Sequence, residues 1–323
     1  MNKRNLPTLE DVAKRAGVST ATVSRCLNEP DKLTQATRER VMEAVQALHY
    51  APNFGARAIA ANRTGIFAAI IPTMENAIFA RGIEAFQATL VAKGATMLVA
   101  SSAYDPAQEA KLIRTMVGRG ADGILLIGTD RDPQIYDFLN ARNIPFVIAW
   151  AHPQHERHSF VGFDNRAASR QLVSHALSKG HTSFAYISAK NETNDRARER
   201  VMGAREAIEN AGLDVDNLQL FETDYSVENG RVTFSKIWDA GIRPSLVICG
   251  NDVLGVGAIQ GAQAKGLRVP DDISVIGFDD IELATIINPA LTTMHVPHKQ
   301  MGIKSAEALL DLVEEGAGPV QTL

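Results

Sequence analysis

TLEDVAKRAGVSTATVSRCLN, residues 8–28, encodes two short helices joined by a tight turn. Leu9, Val12, Ala13 and Ala16 place apolar groups on one helical face. Thr8 stands at the N-cap position, and Asp11 three residues on completes a capping box. Gly17 permits the left-handed backbone that ends a helix without steric cost. Ser19 caps the second helix, in which Ala21, Val23 and Leu27 differ in facing from Thr20, Thr22, Ser24 and Arg25. A short helix, a turn containing Gly and a second, polar-faced helix make a helix-turn-helix, the unit that lays its second helix in the major groove of DNA.

The pattern continues outward. A third helix is expected after Thr34, with Val41, Ala44, Val45 and Leu48 at i, i+3, i+4 and i+7. Three such helices can close one small core. The helical pattern breaks at Pro52, and Asn53 can N-cap a further helix of one to two turns. Helix nucleation is costly, so that helix needs outside support to form.

Charge separates this region from the rest. Residues 1–63 carry ten Lys and Arg against six Asp and Glu, while the remainder carries 23 against 31. A basic head on an acidic body fits a small DNA-touching module attached to a larger domain with another task. With 323 residues, two or three domains are expected. No apolar stretch approaches the roughly 18 residues of a membrane span, and no apolar run follows the first charges as a secretory signal would. Cys26 and Cys249 read as reduced thiols of a cytosolic protein, and the Asn62 and Asn191 sequons as accidental.

From Gly65 onward, apolar runs alternate with helical patterns in two blocks of similar size. Continuous apolar strands between helices imply parallel sheets covered on both faces. The expected fold is an all-α helix-turn-helix head on an α/β body of two doubly wound parallel-sheet subdomains. Ligands of open α/β sheets bind at the carboxyl ends of the strands, so a shared crevice is expected between the blocks.

The order of motifs along the chain resembles the lactose-repressor family of bacterial transcription regulators. The resemblance rests on TLEDVAKRAGVSTATVSR, YAPNFGARAI, VGFDN (161–165), Arg200-Val-Met-Gly203, GND (250–252), VPDDISVIGFDD (269–280) and PALTTMHVP (289–297). It covers nearly the whole chain. The VGFDN layout is also similar to gluconate-type repressors. The resemblance implies a periplasmic-binding-protein type I body. Residues 1–50 would be the DNA-binding domain, 51–62 a hinge, and 63–323 the effector and dimerisation domain. Within the body, the first subdomain would take 63–159 and 292–318, and the second 160–291 and 319–323. Family members continue for another strand or two beyond the point where Val320-Gln-Thr-Leu323 begins one.

On physical grounds Thr20, Ala21 and Arg25 are candidate base readers: Arg forks onto guanine, and small apolar groups contact the thymine methyl. The resemblance assigns the same three residues to operator choice and a guanine contact. Thr8, Ser19, Thr22, Ser24 and Asn28 are candidates for phosphate contacts, which set register without reading sequence. In the hinge, Asn53, Ala56, Arg57 and Ile59 are assigned to DNA. Family hinge helices form when two copies pair on DNA, and a leucine from each wedges into the minor groove. Ile59 holds that position here, apolar but stiffer.

The resemblance also implies effector residues. Arg200 would grip hydroxyls or a carboxylate, and Asp279 would accept hydrogen bonds from the ligand. Asn251 and Asp252 fall at the crevice by topology. Tyr225 would wall the ligand, with Phe79 and Trp150 opposite; both aromatics also read as simple core residues. The polar NETNDRARER segment around Arg200 reads as a surface or cleft loop, and Asp280 as a cap for the following helix. The implied partners are double-stranded operator DNA, a small sugar, sugar acid or nucleoside, and a second copy of the chain, a tetramer not being excluded. No membrane partner, cofactor or metal is expected. A solute-binding protein shares the body but not the head. An enzyme is disfavoured: His152–His158 reads as a solvated loop, Gly255-Val-Gly257 falls inside a helix, and there is no nucleophile elbow.

Overall fold

A computed structural model describes residues 6–51, 63–152, 158–315 and 321–322. The hinge residues Asn53, Ala56, Arg57 and Ile59 lie outside the described residues, as do 153–157 of the His-rich segment. The chain divides into two compact units, Met1–Thr64 and Gly65–Leu323.

In the first unit, α1 (Leu9–Ala16), α2 (Thr20–Asn28) and α3 (Gln35–Ala47) follow the expected order, with a 3-10 turn at Pro30–Lys32. The Thr8 hydroxyl accepts the Asp11 N–H while the Asp11 carboxylate takes the Thr8 N–H at 2.8 Å, so two orphan donors are satisfied reciprocally. Gly17 adopts φ 64° and its N–H bonds the last carbonyls of α1. Ser19 caps α2 through the Thr22 N–H at 3.1 Å. The core comprises Val12, Ala13, Ala16, Val23, Cys26, Val41 and Ala44. Cys26, read only as a reduced thiol, is part of that core, whereas Ala21 is exposed and Val45 and Leu48 are half-buried. A three-helix core this small can enclose only the innermost stripe of each helix.

The second unit runs β1 (Ile66–Ile71), α4 (Ala77–Ala92), β2 (Thr96–Ser101), α5 (Pro106–Gly118), β3 (Gly123–Ile127), α6 (Pro133–Ala141), β4 (Phe146–Ala149) and β5 (Ser159–Val161). It continues with α7 (Asn165–Leu177), β6 (Phe184–Ser188), α8 (Asp195–Asn210), β7 (Leu218–Glu222), α9 (Val227–Asp239), β8 (Leu246–Cys249), α10 (Asp252–Ala264) and β9 (Ser274–Asp279). It ends with α11 (Glu282–Ile286), β10 (Thr292–His295), α12 (His298–Glu315) and β11 (Gln321–Thr322). The strands form two sheets, ordered β11-β5-β4-β3-β1-β2 and β10-β9-β8-β6-β7, and the pairs are parallel throughout.

Each sheet is covered on both faces. Along β6, Phe184 and Tyr186 join the core under α7 and α8, while Ala185 and Ile187 join the core under α9 and α10. The first sheet divides likewise between α4 with α12 and α5 with α6. One apolar core runs from Phe79, Phe86 and Leu309 through Trp150, Phe278 and Val296 to Tyr186 and Ala204, so it spans both sheets. Gly82 lets α4 approach that core: a Cβ there would overlap the Trp150 indole.

The crossings between sheets differ from expectation. Ser159–Val161 pairs with β4 in the first sheet, so the chain leaves that sheet after Val161. Thr292–His295, expected in the first block, pairs with β9, and the return falls at Val296-Pro297. Gln321–Thr322, expected in the second subdomain, pairs with β5 in the first, so α12 and β11 belong to the same sheet. Backbone pairing decides these edges, and edge strands this short carry too little pattern to reveal their neighbour. Strand β10 was absent from the sequence reading for the same reason.

Candidate functional site

In the first unit, Ser19, Thr20, Ala21, Arg25 and Asn28 are exposed, and Thr22 and Ser24 half-buried. The hydroxyls of Ser19 and Thr22 lie 2.9 Å apart, and the Asn28 amide donates to Ser24 Oγ at 3.3 Å. Thr8, Ser19, Thr22, Ser24 and Asn28 are therefore engaged in holding their own helices. Thr20, Ala21 and Arg25 stand on the outer face of α2, and the Arg25 side chain has no hydrogen-bond or ion-pair partner among the described residues.

In the second unit, loops leaving the carboxyl ends of both sheets meet in a small cavity. Its lining includes Asn76, Phe79, Tyr104 and Trp150 from the side of the first sheet. From the second come Asn194, Arg196, Arg200, Tyr225, Asn251 and Asp279. Past Tyr104, Asn194 and Tyr225 the space opens into a wider cleft. Asn76, Asn194 and Asn251 are the N-caps of α4, α8 and α10, each spending its side-chain oxygen on its helix. Parallel strands followed by helices make this convergence automatic, because each strand's carboxyl end feeds a helix N-terminus.

Arg200 lies in the second turn of α8 and lines the cavity, only 4% exposed despite its polar surroundings. Its Nε donates to Asn165 Oδ1 at 2.8 Å and its Nη1 to the Gly250 carbonyl at 2.8 Å, while Nη2 lies 3.5 Å from Asp279 Oδ1. The guanidinium also stacks 3.8 Å over the Phe278 ring. Burial pushes the Asp279 carboxyl up to about 7, against the pull of Arg200. Two buried polar atoms of the cavity residues have no hydrogen-bond partner: the Asp279 Oδ1 acceptor, which has only the longer ion-pair contact to Arg200, and the Asn251 Nδ2 donor. Unpaired buried groups are rare and costly, so a pair of them in one cavity calls for a ligand that supplies their bonds.

Backbone strain concentrates here too. Tyr104, Trp150, Asp279 and Asp280 all have positive φ, at 58°, 59°, 117° and 57°. Such conformations persist in non-glycine residues only where neighbours over-determine them, and they gather at functional sites. The Phe79 and Trp150 rings meet edge to face at 5.8 Å. Both residues line the cavity and belong to the core, so the two readings of them are compatible.

The fold thus gathers six of the seven effector candidates: Phe79, Trp150, Arg200, Tyr225, Asn251 and Asp279. Asp252 is not among the lining residues. It is fully buried, accepts the Ile281 N–H at 2.8 Å and the Thr293 hydroxyl at 2.5 Å, and so fastens β10 and the turn after β9. Asp280 caps no helix; it contacts His295 Nδ1 at 2.7 Å. Sequence reasoning missed Asn76, Tyr104, Asn194 and Arg196. The two asparagines carried a usable signal, since each stands just before a helix, at the end of a short loop that leaves a strand. Of the His-rich segment, His158 stacks on Tyr136 at 4.7 Å and His152 meets Phe160 edge-on.

Residues 8–53 match the family described as bacterial regulatory proteins, lacI family, and residues 173–323 match the periplasmic binding protein-like domain. The chain is 32% identical over 312 residues to the HTH-type transcriptional repressor PurR of Vibrio cholerae serotype O1 (strain M66-2), covering 96% of this chain and 92% of the relative. Among solved structures, it is similar to the lac repressor dimer bound to operator and the anti-inducer ONPF, with 25% identity, a TM-score of 0.85, and 98% and 96% of the two chains covered. It is also similar to the transcriptional regulator CelR–cellobiose complex, with 28% identity, a TM-score of 0.71, and the same coverage.

Proposed function

The chain belongs to the lacI family of bacterial regulatory proteins, and on that premise we propose how its own residues divide the work. It is a DNA-binding transcriptional regulator whose operator affinity responds to a small-molecule effector, and not an enzyme. We assign operator reading to Thr20, Ala21 and Arg25, backbone contacts to Thr8, Ser19, Thr22, Ser24 and Asn28, and further DNA contacts to Asn53, Ala56, Arg57 and Ile59. Residues 1–50 form the head, 51–62 the linker and 63–323 the body. The working unit is a homodimer in the cytoplasm, acting as a repressor.

The effector binds in the body cavity, held by Arg200, Asn251 and Asp279 between Phe79, Trp150 and Tyr225. The observation that carries this reading is the pairing of an unpartnered acceptor, Asp279 Oδ1, with an unpartnered donor, Asn251 Nδ2. The charges favour an uncharged ligand. Arg200 faces Asp279, and Arg196 Nη1 bonds Asp195 Oδ1 at 2.8 Å, so each cation of the cavity already has its counter-ion. A sugar acid would bring a carboxylate beside Asp279 with no spare cation to receive it. A neutral sugar or nucleoside offers hydroxyl donors to Asp279, an acceptor to Asn251 and a face to the aromatic walls.

A thermal-shift screen of glucose, cellobiose, adenosine and gluconate tests this, since a ligand at a hundred times its dissociation constant adds about 2.7 kcal/mol. Uncharged members should raise the melting temperature and gluconate should not. Gel shifts on the promoter region with the hit then test coupling: ligand and DNA must change each other's affinity by the same factor. Stabilisation by gluconate alone overturns the charge argument, and no coupling overturns the regulatory reading.

A further inference from the structure

We infer that His298 is a positioning residue for the cavity: as a neutral imidazole with the proton on Nε2, it holds the Trp150 indole and the Asp279 backbone in place across the two sheets. His298 opens α12, immediately after the Val296-Pro297 crossing, and is 4% exposed. It is not among the residues lining the cavity. Its Nδ1 accepts the Trp150 Nε1–H at 3.1 Å, and its Nε2 lies 3.1 Å from the Asp279 carbonyl oxygen.

These two bonds fix the tautomer. The indole N–H can only donate, so Nδ1 must be bare; a carbonyl can only accept, so Nε2 must carry the proton. One neutral form satisfies both partners. An imidazolium would turn Nδ1–H against the indole N–H. The ring lies nearly parallel to the indole, at 6.4 Å and 19°. The charged and titratable groups facing it are Arg200, Arg81, His295 and Asp279, and burial holds His298 well down, at about 4, so the neutral form persists.

The two residues it joins are the strained pair. Trp150, φ 59°, leaves β4 of the first sheet, and Asp279, φ 117°, ends β9 of the second. The contacts close into a ring beside the cavity, which Trp150, Asp279 and Arg200 line. Trp150 donates to His298, and His298 donates to the Asp279 carbonyl. The Asp279 carboxylate faces Arg200, Arg200 donates to Asn165, and the Asn165 amide donates to the Trp150 carbonyl at 3.1 Å. His298 is the link that spans from the first sheet's aromatic wall to the second sheet's carboxylate. The ring is a geometric fact of the fold; its importance for ligand binding rests on the effector reading above.

The test uses the full-length chain in a Trp238→Phe background, leaving Trp150 as the sole tryptophan. Three variants are compared: His298→Phe, which keeps a ring without polar atoms; His298→Asn, which keeps an acceptor near Nδ1; and His298→Ala. Trp150 indole ¹H–¹⁵N resonance and emission are read without ligand, then the panel of glucose, cellobiose and adenosine by thermal shift. We expect the indole resonance to move upfield in Phe and Ala and to be restored toward native in Asn. Affinity for whichever panel member stabilises the parent should fall roughly tenfold in Phe, as loss of a buried hydrogen-bond partner implies. An unchanged indole resonance in His298→Phe overturns the inference whatever the panel does. So does a Phe variant that shifts the resonance yet binds as the parent does. If no panel member stabilises the parent, the effector reading fails and the indole resonance alone decides the His298 geometry.

Discussion

The Asp195 carboxylate accepts two hydrogen bonds from Thr129, one from its backbone N–H at 2.5 Å and one from its hydroxyl at 2.8 Å. Thr129 follows β3 of the first sheet and Asp195 opens α8 over the second, so this contact latches the two lobes beside the ligand cavity. Burial pushes the Asp195 carboxyl up, but Arg196 and the Thr129 donors outweigh it and hold it below the usual range. A depressed carboxylate stabilises above its unfolded value of 3.8 and loses that stability as pH falls through its folded value. Removing the hydroxyl with Thr129→Val should weaken effector binding by about 1 kcal/mol. Asp195→Ala should lower folding stability by about 3–5 kcal/mol, because Arg196 is left buried and unpaired. Calorimetric titration and urea unfolding check both; native effector affinity in Thr129→Val counts against the latch.

A second inter-lobe pair should matter far less. Arg198 forks onto Asp130 at 2.8 and 2.7 Å, but both side chains are about a third exposed, at 38% and 32%. Solvent screens such a pair, so Arg198→Ala should cost about 0.2–1 kcal/mol, shrinking further in salt. A salt-independent loss as large as that of Asp195→Ala would show the ranking to be wrong.

Effector binding should strengthen as pH rises. Asp279 is raised to about 7 by burial, so below pH 7 the folded, empty protein holds a proton that the unfolded chain releases near 3.8, and above it the carboxylate is the counter-ion of Arg200. That group's stabilisation is complete below the unfolded value and is lost as pH climbs through 7. A ligand donating hydroxyls selects the ionised form. Apparent affinity should therefore increase about tenfold between pH 6 and pH 8, with proton release on binding. Titrations in buffers of different ionisation enthalpy measure this, and Asp279→Asn should flatten the profile. Asp252, pushed up to about 6 by burial, is hydrogen-bonded away from the cavity and affects stability instead.

Crowding the aromatic wall should damage the cavity from behind. Gly82 packs so closely that a methyl group meets Trp150 Cζ2 and Cη2. Gly82→Ala must displace the indole or α4, at about 1–3 kcal/mol. A melting temperature and Trp emission matching the parent would show that the contact gives way at no cost.

In the head, Arg25→Ala should weaken specific operator binding by about 1–3 kcal/mol and relax one position of the site. Val12→Ala, at a fully buried core position, should instead destabilise the head and lower affinity for every DNA sequence alike. Binding-site selection separates the two; an unchanged preference in Arg25→Ala would remove it from the base readers.

Legibility varied with the reach of the interaction. The capping box of Thr8 with Asp11, the turn at Gly17 and the start of α10 after Asn251 involve residues three or four apart, and the sequence carries them openly. The partner of β10 and the seat of β11 depend on hydrogen bonds to strands far along the chain, which no short window records. Arg200 shows the limit. Its assignment as a ligand-gripping residue followed from resemblance, but the polarity of its neighbours pointed to a surface or cleft loop, and the fold buries it. Buried charge in a helix looks like surface until its partners, Asn165, Gly250 and Asp279, arrive from three other elements.

Local chemistry in the sequence therefore determined the helix-turn-helix and the alternation of strand and helix, while the family resemblance named most of the residues that the fold gathers around the cavity. Tertiary structure alone decided which Asp faces the cavity. Asp252 is spent on Ile281 and Thr293, and Asp279 keeps an oxygen with no hydrogen-bond partner. The physical reason is that a hydrogen bond is satisfied by position in space, and the partners of both carboxylates lie beyond the span over which a chain can be read from its neighbours.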